Sequence, residues 1–120
     1  MKSDNALQWL QEWYLAQCDG DWEHEFGVTI ETLDNPGWRV TVSLQGTALE
    51  EVPFERVESN RSEHDWVRCW VDEQQFEAAC GPRNLQEALE IFRKWAEPHV
   101  ELTKDTDGAV DAILERQRGD

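Results

Sequence analysis

Residues 26–44 read FGVTIETLDNPGWRVTVSL, and this stretch decides the fold. Phe26, Val28 and Ile30 alternate with Gly27, Thr29 and Glu31, the period-two pattern of a half-buried strand. Trp38, Val40, Val42 and Leu44 alternate with Arg39, Thr41 and Ser43 on the return. Between the runs, Asn35-Pro36-Gly37-Trp38 predicts a type II turn, with proline fixing the second position and glycine accepting positive φ at the third. Two alternating runs joined by so short a turn form an antiparallel hairpin.

On the amino-terminal side, Asn5 can cap a helix running through Cys18, with Leu7, Leu10, Tyr14 and Cys18 on one stripe. Trp9 and Trp13 widen that stripe, and Asp19-Gly20 ends the helix. On the carboxyl side, Gln45-Gly46-Thr47 predicts a turn and Leu49 to Val57 a weaker strand, placed at an edge by Pro53. Glu58 to His64 reads as a polar loop. Val67, Cys69 and Val71 then alternate with Trp66, Arg68 and Trp70. After Asp72-Glu73-Gln74, the run Phe76, Ala78, Cys80 completes a second hairpin. Gly81-Pro82 stops it. Asn84 caps a second helix with Glu87 in capping-box spacing, and Leu85, Ala88, Leu89, Phe92 and Trp95 form its buried stripe up to Pro98.

The expected architecture is α+β: an antiparallel sheet of about four to five strands in two hairpins, with an amino-terminal and a carboxyl-terminal helix on one face. Residues 1–100 form the domain, and 101–120 a polar tail in which Val110, Ile113 and Leu114 can support a short helix. A chain of 120 residues has room for one core. The open face would carry Thr29, Glu31, Arg39 and Thr41. Trp66 and Trp70 form an aromatic patch if they share that face and core if a helix covers them; the core reading is preferred.

Charge bounds the function. The chain carries a formal net charge of −15. Such a field repels nucleic-acid phosphates and anionic membranes and attracts basic partners. Three cysteines (Cys18, Cys69, Cys80) make neither a CxxC pair nor an even disulfide set, which fits a reducing compartment. Met1-Lys2-Ser3-Asp4 leads into the first helix without an apolar signal core, and no apolar run is long enough to span a membrane. A cytoplasmic location is expected.

The acidity is concentrated. Between Ser3 and Trp38 lie Asp4, Glu12, Asp19, Asp21, Glu23, Glu25, Glu31 and Asp34, with no lysine or arginine. Carboxylates just past a helix carboxyl end oppose its dipole, so the cluster Cys18-Asp19-Gly20-Asp21-Trp22-Glu23-His24-Glu25 carries a local penalty. It is either a docking surface with Trp22 as an aromatic anchor or a solvated turn whose Trp22 folds back onto the core.

Catalytic and metal readings are weaker. Counted from Asp19, the glycine and glutamate positions of a calcium loop hold His24 and Ile30. Zinc on Cys18 and His24 lacks two further ligands. Cys80-Gly81-Pro82-Arg83 is too short to close around an anion, and Cys80 falls on an apolar strand face. His24 with Glu23 or Glu25 could do acid–base work, but neighbouring residues on a strand point apart. No catalytic residue, metal or cofactor is assigned.

Several of these strings carry a resemblance. Trp13-Tyr14, Cys18 to His24, Thr32-Leu33-Asp34-Asn35-Pro36-Gly37-Trp38, Asp65-Trp66 and the Leu85–Trp95 helix resemble the immunity protein 53 family. The resemblance covers about residues 5 to 97 and leaves the tail outside. It implies a protein encoded with a bacterial polymorphic toxin system that binds and neutralises a toxin domain. Joined to the charge argument, it predicts a basic toxin met by Asp19, Asp21, Glu23, Glu25 and Asp34. Trp22 and Trp38 would supply aromatic contacts, and His24 a hydrogen bond at the rim. The alternatives are a small cytosolic metal-dependent enzyme using Asp19 to Glu25, or an acidic adaptor for a basic host protein.

Overall fold

The computed structural model describes residues 5–100. The tail expectation, including the short helix around Val110, Ile113 and Leu114, falls outside them. The first helix, α1 (Ala6–Gln17), begins where the Asn5 side chain accepts from the backbone N–H of Leu7 and Gln8 at 2.8 and 3.1 Å. A single helical turn, α2 (Trp22–Glu25), follows. Five strands come next: β1 (Val28–Leu33), β2 (Gly37–Ser43), β3 (Val57–Ser62), β4 (Asp65–Asp72) and β5 (Gln75–Cys80). The last helix, α3 (Leu85–Ala96), runs into a 3-10 turn at Glu97–His99. The strands form one antiparallel sheet in the order β1-β2-β5-β4-β3, so the α+β expectation holds.

Register decides which residues share a face. Val40 lies opposite Ala78, Val42 opposite Phe76, and Cys69 also opposite Ala78. These residues, with Val67 and Cys80, are buried beneath the two helices. The core closes in an aromatic cluster: Phe92 of α3 meets Trp9 and Trp13 of α1 edge-on, with centroids at 5.9 and 5.4 Å. Arg39, Thr41, Glu77, Arg68, Trp66 and Trp70 occupy the opposite, open face by the same alternation.

That placement corrects the core reading of Trp66 and Trp70. Both are half-buried on the open face, under arginines rather than under a helix. The α1 stripe is also rotated from expectation. Ala6, Trp9, Leu10 and Trp13 are buried, whereas Leu7 and Tyr14 stay 46% and 39% exposed. The indoles hide the larger apolar areas, so they set the orientation of the helix.

Residues 49–56 are not a strand. Leu49 is buried, Glu51 takes φ 66°, and Phe54 packs on Phe76 and Trp95 at 5.5 and 5.1 Å. The Trp95 indole donates to the Pro53 carbonyl at 2.8 Å, making this segment a strap across the core. The edge strand lies instead in the expected loop, as β3 paired to β4 with an irregularity between Asn60 and Ser62. After Val57 its residues are polar on both faces, and hydrophobic periodicity cannot detect that.

The type II turn is corrected too. The β1–β2 loop is Asp34–Pro36, and Gly37 already pairs with Leu33 as the first residue of β2. Positive φ among glycines falls at Gly20 and Gly46, not Gly37. Glycine is needed at 37 because a Cβ there would collide with the Cys80 carbonyl oxygen. At α3, Asn84 does not cap the backbone with its side chain. Its amide donates to Asp65 and Glu87 at 3.0 and 2.9 Å and accepts from the Trp66 N–H at 3.3 Å. Arg61 adds contacts to Asp65 at 2.9 Å and Glu87 at 2.6 Å, so this network ties β3 and β4 to the start of α3.

Candidate partner-binding face

The acidic segment folds by using its own carboxylates. The Asp19 carboxylate accepts from the backbone N–H of Asp21 and Trp22 at 2.9 and 3.0 Å. Glu23 reaches back and accepts from the N–H of Asp19 and Gly20 at 3.0 and 2.9 Å. The exchange has the reciprocal logic of a capping box, and it satisfies the amides of the turn that leads into α2. Its own backbone N–H, then those of Asp19 and Gly20, hold the Glu23 carboxyl below the usual glutamate range.

Trp22 is 6% exposed, its indole donating to the Gln45 carbonyl at 2.8 Å and its ring meeting Trp13 at 6.1 Å. It folds back onto the core and anchors the turn from within. Asp21, His24 and Glu25 remain exposed on the outer side of α2. Asp34 is exposed at the far end of β1, six residues of strand away, roughly 20 Å. Trp38 is half-buried on the helix-facing side, its indole donating to the Pro82 carbonyl at 3.1 Å. The eight sequence-predicted residues therefore do not converge on one spot: Asp21, His24 and Glu25 share a surface, while Asp19, Glu23 and Trp22 build the turn beneath it.

A groove of about 650 Å³, absent from the sequence reading, lies beside that surface. Its walls are Leu7, Leu10, Gln11 and Tyr14 of α1, then Glu25, Phe26, Gly27, Val28 and Ile30, with Thr29, Thr41, Ser43 and Gln75 completing it. Ile30 shows why it exists. The residue lies opposite fully buried Val40 on the helix-facing side, yet it is 37% exposed. The helices stop short of β1, leaving Leu7, Tyr14 and Ile30 as apolar surface next to Glu25. The exposure of Leu7 and Tyr14 could have been suspected only by letting tryptophan outrank leucine and tyrosine when orienting α1.

The open sheet face is self-contained by comparison. Arg39 and Arg56 lie over the Trp70 ring at 5.7 and 5.4 Å, and Arg68 over Trp66 at 5.4 Å. Arg39 also pairs with Glu77 at 2.7 Å, and Arg68 approaches Glu58 at 3.6 Å. These cations are already matched within the chain. Burial pushes the Cys69 thiol up to about 12 and the Cys80 thiol up to about 11, so neither is poised as a thiolate nucleophile. Among the described residues, no three His, Cys, Asp or Glu side chains gather as a metal-binding group. No helix among them is long and apolar enough to cross a membrane.

Fold and surface define a small α+β protein with a one-sided antiparallel sheet and an apolar groove beside exposed carboxylates. The chain belongs to the immunity protein 53 family, whose profile matches residues 7–97, from α1 through α3. Membership supports an immunity function and implies a toxin as binding partner. No curated protein and no solved structure was found to match the chain.

Proposed function

We propose that this protein is the immunity component of a bacterial polymorphic toxin system, binding a basic toxin domain in the cytoplasm and neutralising it. Family membership across residues 7–97 carries the reading. The surface supports it in two ways. Leu7, Tyr14 and Ile30 offer exposed apolar area in a groove lined also by Glu25, with Asp21 exposed on the neighbouring turn, Glu31 exposed on the other side of β1, and no lysine or arginine between Ser3 and Trp38. An acidic rim raises the encounter rate with a cationic partner, and an apolar centre slows dissociation. Asp19, Glu23 and Trp22 serve this surface by holding α2 in shape.

Co-expression with the toxin domain encoded by the neighbouring gene should rescue growth, and the two proteins should co-purify. Asp21→Ala with Glu25→Ala should lower the association rate about three- to ten-fold at low salt and flatten its salt dependence. Kinetics that match wild type across the salt series would remove these two carboxylates from the interface.

A further inference from the structure

The two edges of the sheet are built differently. On β3 the register is interrupted between Asn60 and Ser62, and the strand carries Glu58 and Arg61. Irregularities and charges of this kind blunt an edge against further pairing. On β1 the register is unbroken from Val28 to Leu33, and the strand holds no proline, lysine or arginine. Among the described residues nothing pairs with its outer side.

Hydrogen bonding identifies which backbone groups face outward. The Ser43 N–H donates to the Gly27 carbonyl at 3.0 Å, so Gly27 and Ser43 form a hydrogen-bonded pair. In an antiparallel ladder such pairs alternate, so Thr29, Glu31 and Leu33 direct their backbone groups toward β2. Val28, Ile30 and Thr32 direct theirs away from the sheet. These residues also point their side chains to the helix-facing side, where the groove leaves Ile30 exposed. Glu31 projects from the other side, exposed.

We infer that β1 receives an extended segment of the toxin by strand addition, the segment alternating apolar residues with lysine or arginine. The backbone of Val28, Ile30 and Thr32 supplies the ladder. Apolar side chains of the added strand descend beside Ile30, Leu7 and Tyr14, while its alternate cationic side chains meet Glu31. Main-chain bonds give affinity in this mode, and the alternating side chains give specificity. The inference rests on the toxin-binding reading and specifies how that binding is made.

Amide hydrogen exchange tests it residue by residue, using the purified toxin domain encoded by the neighbouring gene, inactivated so that it can be produced. In the free protein, Val28, Ile30 and Thr32 amides should exchange quickly while Thr29 and Glu31 are protected. In the complex, all three should slow at least ten-fold, and Ile30→Lys should weaken binding at least ten-fold. A tight complex without added protection at the three amides would overturn strand addition while leaving toxin binding intact. Absence of any complex would overturn both. If Ile30→Lys does not fold, the wild-type exchange pattern decides alone.

Discussion

Glu73 and Gln74, at the tip of the β4–β5 hairpin, have φ of 51° and 62°, a left-handed conformation that side chains resist. The two-residue hairpin demands it, because the mirror-image turn matches the twist of the flanking strands. Part of the penalty is offset by contacts: the Leu44 N–H donates to the Gln74 carbonyl at 2.9 Å, and the Glu51 N–H to its side-chain oxygen at 3.3 Å. Glu73 makes no such contact that would be lost, and asparagine tolerates this region better. Glu73→Asn should therefore stabilise the protein by about 0.5–1 kcal/mol in urea denaturation; an unchanged or lower midpoint would contradict it. Trp9 and Trp13 carry the opposite kind of cost. Both are fully buried, and neither indole N–H finds a hydrogen-bond acceptor among the described residues. Each unpaired donor costs on the order of 1–3 kcal/mol, outweighed here by the apolar area the two rings hide. Such debts are invisible in a sequence, because they depend on what surrounds the ring.

At the scale of the element, α2 is the informative case. Four residues cannot hold a helix on propensity, and Trp22–Glu25 is instead pinned by Asp19 on the Asp21 and Trp22 amides, by Glu23 reaching back to the Asp19 and Gly20 amides, and by Trp22 beneath it. The Glu23 carboxyl titrates below its ordinary value of 4.5 in the folded protein. A depressed folded-state value means that the ionised form stabilises the fold above the ordinary value and that this contribution is lost as pH falls through the folded one. Glu23→Gln should thus be less stable than wild type near pH 7, with the gap in unfolding midpoint closing as pH falls below the ordinary glutamate value and through the lowered folded-state one. A gap that stays constant with pH would show that the carboxylate charge is not what holds the turn. Cluster composition was legible in the sequence, but the division of labour within it was not. Asp19 and Glu23 differ from Asp21 and Glu25 only in where the backbone amides point.

Across the whole molecule, a net charge of −15 on 120 residues works against compaction. Local pairs such as Arg39–Glu77 and the Arg61 network neutralise a few carboxylates, but the surface from α1 to the β1–β2 loop has no cation of its own before Arg39. Screening should accordingly stabilise the fold: raising sodium chloride from about 10 to about 300 mM should raise the thermal midpoint by a few degrees. A midpoint that falls with salt would mean that the ion pairs outweigh the repulsion. The same uncompensated charge makes a cationic partner favourable. Binding to a basic toxin, as proposed, would relieve repulsion that folding alone leaves in place.

From its own pattern the sequence determined the α+β class, the β1–β2 and β4–β5 hairpins, both long helices and the acidic character of the amino-terminal third, because alternation, helical spacing and charge are local properties of a chain. The family likeness was legible for the same reason, being carried by contiguous strings. Tertiary structure alone decided that β3 runs through residues 57–62, polar after Val57, that Gly37 yields space to the Cys80 carbonyl, and that Trp66 and Trp70 lie outside the core. It alone opened the groove beside β1. Each of these depends on which surfaces meet across the fold, and pairing partners distant in the chain leave no mark on local periodicity.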